Sequence, residues 1–98
     1  MRDLLDDAAI TTALDDLPGW QREGNSLVRT AELPSFPAAI TVVDRVAEVA
    51  EARDHHPDID IRWRTLTFTL STHSEGGITE LDVALAGAIS ELVAAAQK

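Results

Sequence analysis

From Ile59 to Leu70, apolar and polar residues alternate, and a period of two permits little except strand with one face in a core and one in water. Ile59, Ile61 and Trp63 alternate with Asp60, Arg62 and Arg64; Leu66, Phe68 and Leu70 alternate with Thr65, Thr67 and Thr69. The apolar phase slips between Trp63 and Leu66. A turn joining two antiparallel strands would produce this slip, and so would a bulge in one long strand; no Gly or Asn marks the slip, and the turn is the reading adopted. Upstream, Trp20-Gln21-Arg22-Glu23 and the segment from Ser26 to Glu32 flank Gly24-Asn25, a dipeptide suited to positive φ, which predicts a hairpin.

Helical periods fill the remaining chain. Ala8, Ile10, Ala13, Leu14 and Leu17 predict a short first helix from about Asp6 to Asp16, stopped by Pro18-Gly19. Ser35 is a candidate cap for a long helix reaching about Arg53, with Ile40, Val43, Val46, Ala47 and Ala50 as its apolar stripe. Pro57 disfavours helix at His56, so the His55-His56 pair is expected where that helix gives way to strand. After Gly76-Gly77, Thr79 and Asp82 form a capping-box pattern with Asp in place of Glu. The last helix is expected to bury Leu81, Leu85, Ala88, Leu92 and Val93 and to expose its acids. The order helix-strand-strand-helix-strand-strand-helix predicts an α+β, two-layer fold: a four-stranded antiparallel sheet with three helices on one face.

Ninety-eight residues suffice for one domain, here residues 1–98, and a 45% hydrophobic fraction supplies its core. A formal charge of −9 repels phosphate backbones and anionic lipid, arguing against nucleic-acid and membrane partners. Without Cys there is no disulfide, thiolate nucleophile or cysteine metal site. The N-terminal stretch lacks the apolar core of a signal peptide, so a cytoplasmic location is expected.

Chemistry concentrates in Glu51-Ala52-Arg53-Asp54-His55-His56-Pro57 and in His73 after Leu70-Ser71-Thr72. Imidazoles exchange protons near neutral pH, so converging histidines point to acid–base catalysis. Alone, a His-His-Pro turn is more often a solvated loop, and His73 is as easily an ordinary surface residue. Asp82 suits the first turn of a helix whatever else it touches, which makes capping its main expected role. Glu51 lies at the unfavourable end of its helix for an acid, so exposure or a partner such as His55 must offset that position. Trp63 fits the apolar face and reads most simply as core, although an indole can also bound a flat ring. Zinc is a minor alternative, since no helical His-x-x-x-His and no Cys pair are present.

Glu51, three residues, His55-His56-Pro57, five residues, Trp63, nine residues, His73, eight residues and Asp82 follow a joint spacing that resembles the signature of the pterin-4a-carbinolamine dehydratases. Leu17-Pro18-Gly19-Trp20, Leu27-Val28-Arg29 and Val43-Asp44-Arg45-Val46-Ala47 resemble that family's first hairpin and long helix. The resemblance implies dehydration of 4a-hydroxytetrahydropterin to quinonoid dihydropterin and water, a hydro-lyase reaction that recycles tetrahydropterin after an aromatic amino acid hydroxylase, with no metal or organic cofactor. It implies His55 and His73 as the acid–base pair, with His56 lining the pocket. Glu51, which would orient an imidazole, Asp54, Pro57, Trp63 and Asp82 are the expected substrate-binding residues, joined by Ser71 and Thr72 through main-chain groups. A homodimer or homotetramer is implied too, and Val42, Val43 and Val49 place apolar residues on more than one side of the long helix. The rival reading is a non-catalytic pterin-binding or protein-assembly module with the same fold.

Overall fold

The computed structural model describes residues 3–97. Helix α1 (Asp7–Asp15) is followed by strands β1 (Trp20–Glu23) and β2 (Ser26–Glu32), helix α2 (Phe36–Arg53), strands β3 (Asp58–Arg62) and β4 (Thr65–Leu70), a short 3-10 turn (His73–Glu75) and helix α3 (Glu80–Gln97). One antiparallel sheet orders its strands β1-β2-β4-β3, so the long β2–β4 pairing stitches two local hairpins together. This is the α+β arrangement anticipated from the sequence.

Both hairpins close with two residues. Gly24 takes φ +60° in the first, and Trp63 takes φ +53° in the second. Arg62 pairs with Thr65 across that turn, so the phase slip marks a turn and not a bulge. Trp63 is 70% exposed, its ring carrying the Arg64 guanidinium 4.6 Å from its centroid. Its expected place in the core is thereby corrected: β3 ends at Arg62, and the residue after it reverses the chain instead of continuing the inward face.

Cross-strand register puts Leu27, Ala31, Leu66, Phe68 and Leu70 on one face with Trp20, all buried, while Thr65, Thr67 and Thr69 face the other way. Fully burying Phe68 contributes about 1.5–3 kcal/mol. The helices supply the opposing layer through Ile10, Val42, Val46, Leu85, Ile89 and Val93. Ser35 caps α2 by accepting from Ala38 N at 3.1 Å. The buried stripe of α2 is Ala39, Val42, Val46 and Ala50, with Ala47 exposed and Val43 and Val49 half-buried against the core. It is therefore turned about one residue from the expected stripe, and its valines serve one core. In α3 the buried residues are Asp82, Leu85, Ala86, Ile89 and Val93. Leu81, Ala88 and Leu92 are only half-buried, and the expectation that the helix exposes its acids fails at Asp82.

Within that core, Ser90 Oγ accepts from Trp20 Nε1 at 2.8 Å and from Arg29 at 3.0 Å. Burial pushes the Arg29 guanidinium below its ordinary pKa. Among the described residues, no helix is long and apolar enough to cross a membrane.

Candidate functional site

The end of α2 sets the first histidine. Asp54 adopts a left-handed conformation, φ 50° and ψ 42°, its N–H donating to Glu51 O at 3.2 Å while His55 N donates to Ala50 O at 3.0 Å. These two bonds form a Schellman motif in which Asp stands where Gly is usual. They stop the helix and fix the backbone of His55 against its last turn. Pro57 then leads into β3.

The imidazole of His55 turns inward. Its side chain is 10% exposed, and its Nε2 lies 2.6 Å from Oδ1 of Asp82, which is 0% exposed. His56 turns outward, with Nε2 2.7 Å from Glu51 Oε1, both side chains being open to solvent at 58% and 81%. The irregular backbone at the helix end thus sends adjacent imidazoles to different carboxylates. The partner suggested for Glu51 was His55; it is His56, because the Schellman motif commits His55 to the interior.

Asp82 is held from behind. Its Oδ2 accepts from Thr79 N at 2.9 Å and from Thr72 Oγ1 at 2.8 Å, while Thr79 Oγ1 accepts from Leu81 N at 3.2 Å. This is the capping box anticipated at the start of α3, with the acid's second oxygen given to His55. Since Asp82 has no exposed surface, it reaches a ligand only through that imidazole. Thr72 and Thr79, buried with it, lie 2.7 Å apart through their hydroxyls. The spacing of Thr79 and Asp82 in sequence marks only a cap; the contact of the Thr79 hydroxyl with Thr72 arises from the tertiary fold.

His73 follows Thr72 directly, opening the 3-10 turn, and is exposed. Its backbone therefore adjoins the residue that binds Asp82, at the same end of the molecule as His55. The suggested use of Thr72 main-chain groups by a ligand is corrected: its N donates to Gly77 O at 2.8 Å, and its O accepts from Glu75 N and Gly76 N, each at 3.0 Å. Half-buried Ser71 takes no part in those bonds.

Asp54 is exposed and Pro57 half-buried beside the histidines. Trp63 lies at the other end of β3, about 16 Å from the Pro57 end at ~3.3 Å per strand residue. A recess of about 400 Å³ opens between α2 and α3, where Arg45 is the titratable lining residue, so it holds no acid–base pair. Among the described residues, no three His, Cys, Asp or Glu side chains gather as a metal site.

Comparison with known proteins follows the same lines. The family model for pterin 4 alpha carbinolamine dehydratase matches residues 3–92. A protein of Nocardia farcinica is 63% identical over 90 residues, covering 92% of this chain and 95% of its own length. One from Roseiflexus castenholzii is 55% identical over 93 residues, covering 95% of this chain and 100% of its own. Both are provisionally described as pterin-4-alpha-carbinolamine dehydratases. Among solved structures, the transcriptional coactivator/pterin dehydratase from Brucella melitensis superposes with a TM-score of 0.90 at 31% identity, over 93% of this chain and 99% of that one. A pterin dehydratase-like RuBisCO assembly factor shares the fold at a TM-score of 0.62 and 21% identity, over 76% of this chain and 86% of its own.

Proposed function

Because the chain belongs to the pterin-4a-carbinolamine dehydratase family, we propose that it converts 4a-hydroxytetrahydropterin into quinonoid dihydropterin and water, with His55 and His73 exchanging the protons. The reaction breaks the C4a–O bond and forms a C=N bond at N5. One proton must reach the departing hydroxyl, and one must leave N5, so a protonated and a neutral group are needed together. Two imidazoles at one end of the domain can supply both.

The observation that carries this reading is the 2.6 Å contact between His55 Nε2 and a carboxylate with no exposed surface. A buried acid engaged by a largely buried imidazole is costly to assemble for stability alone, and the contact fixes the orientation of the ring. Asp82 is accordingly a positioning residue. His56, steadied by Glu51, would line the pocket, and Asp54, Pro57 and Ser71 would meet the polar edge of the pterin. Trp63 lies too far along β3 to do so within one chain.

The reading includes a homo-oligomer in the cytoplasm, serving tetrahydropterin recycling beside an aromatic amino acid hydroxylase. Exposed Ile61 on β3 and Trp63 in the turn after it support self-association, since among the described residues the outer edge of β3 has no partner strand. Stopped-flow dehydration of 4a-hydroxytetrahydropterin generated in situ tests the enzyme reading, using protein dialysed against chelator. Acceleration over buffer is the expected result. A rate equal to buffer would leave the non-catalytic module, and recovery with added zinc alone would indicate metal chemistry.

A further inference from the structure

Which nitrogen of His55 carries hydrogen is decided by groups that lie behind it. The single hydroxyl hydrogen of Thr72 is directed at Asp82 Oδ2, 2.8 Å away. The 2.7 Å contact between the Thr72 and Thr79 hydroxyls must therefore be donated by Thr79. Thr79 Oγ1 in turn accepts from Leu81 N at 3.2 Å. The donors run one way, from Leu81 N–H to Thr79 O–H to Thr72 O–H, and end on the carboxylate. Thr79 N–H reaches the same oxygen at 2.9 Å. With two donors on Oδ2 and no hydrogen of its own to offer, the Asp82 carboxylate accepts from His55 through Oδ1.

That leaves Nδ1 as the other ring nitrogen, and among the described residues it has no hydrogen-bond partner. Among the described residues, Arg64 Nε is the buried side-chain polar atom without a partner. Nδ1 of His55 is not in that condition, so it retains exposed surface.

We propose that the Thr72 side chain is a positioning residue that, through Asp82, fixes His55 as the Nε2–H tautomer, so that His55 gives and takes its proton through Nδ1. Thr72 stands at the hub of the chain, accepting from Thr79 and donating to Asp82. The proposal rests on His55 being an acid–base group, but tautomer and turnover can be measured separately.

The test uses the 15N-labelled full chain and two-bond proton–nitrogen correlation spectra of its imidazoles, recorded where His55 is neutral, alongside turnover. Wild type should show the Nε2–H pattern for His55. Thr72→Val keeps the shape and removes the hydroxyl, so the pattern should weaken and turnover fall about tenfold, as for loss of one hydrogen bond to a charged group. Thr72→Ser should restore both. An Nδ1–H pattern in wild type, which requires no variant to fold, would overturn the proposal. So would a Thr72→Val protein with wild-type pattern and turnover. An Nε2–H pattern in a wild-type protein that fails to dehydrate pterin would support the tautomer assignment and sink the proposed reaction.

Discussion

Replacing Asp82 by Ala and, separately, by Asn should divide its two duties. Alanine removes the acceptor of Thr79 N, Thr72 Oγ1 and His55 Nε2 at once, from a site with no exposed side-chain surface. Losing the reciprocal cap and stranding two buried donors should cost about 3 kcal/mol. For a domain of this size that lowers the melting temperature by roughly 12–24 °C. Asparagine has nearly the same shape. With its oxygen in the place of Oδ2, it still accepts from Thr79 and Thr72, and its amide then faces His55. An amide N–H donates to Nε2, so the imidazole must carry its hydrogen on Nδ1, the wrong side for a base acting there. Asp82→Asn should therefore melt within roughly 8 °C of wild type, an expected cost of about 1 kcal/mol, yet lose up to ~10⁴ in turnover, the scale seen when a carboxylate orienting a catalytic imidazole becomes an amide. The assay pairs thermal melting with stopped-flow dehydration on the same preparations. Wild-type turnover in Asp82→Asn would refute the link between this carboxylate and catalysis, and wild-type melting in Asp82→Ala would refute the network's energetic role.

His73→Ala should lower turnover by about 10²–10⁴ without moving the melting curve, because the ring is exposed and makes no hydrogen bond to a described residue; a fall in melting with turnover intact would remove it from the acid–base pair. Glu51→Gln should reduce turnover less than about tenfold, since the solvent-exposed pair it forms with His56 is weakly coupled; a larger loss in steady-state kinetics would promote Glu51 to a principal role. Trp63→Asn suits the positive φ of its turn and removes the exposed ring, so sedimentation velocity should show smaller species than wild type. An unchanged distribution would place the association surface elsewhere.

Much of the fold was legible because local periods and tertiary burial agree. The hairpin around Gly24-Asn25, the cap at Ser35 and the alternation through Leu66, Phe68 and Leu70 all survive in the structure. The turn after Arg62 was legible only from the slip in apolar phase and carried no residue marker, because positive φ is ordinarily signalled by Gly or Asn and here it falls on Trp63. Helix α2 offers two interleaved apolar series. Only its packing on the sheet and α3 selects Ala39, Val42, Val46 and Ala50, so the stripe's phase is a tertiary decision. At the site, the spacing of Thr79 and Asp82 disclosed the capping box. The partner of Asp82's other oxygen lies 27 residues away, and no local pattern points to it. Likewise, whether Glu51 meets His55 or His56 depends on the left-handed turn at Asp54, where an acid takes a glycine's place.

The double engagement of Asp82 has a consequence for opening equilibria. Helix ends ordinarily fray on their own, well below global unfolding. Here the first turn of α3 cannot loosen without withdrawing the carboxylate from His55, because Oδ2 holds Thr79 N and Oδ1 holds the imidazole. Amide exchange at Thr79 and release of the ring should then report one opening event with one free energy. Warming would inactivate the protein through that local event before the sheet melts, and a change that tightens the start of α3 would extend the working temperature without touching a residue that meets the ligand.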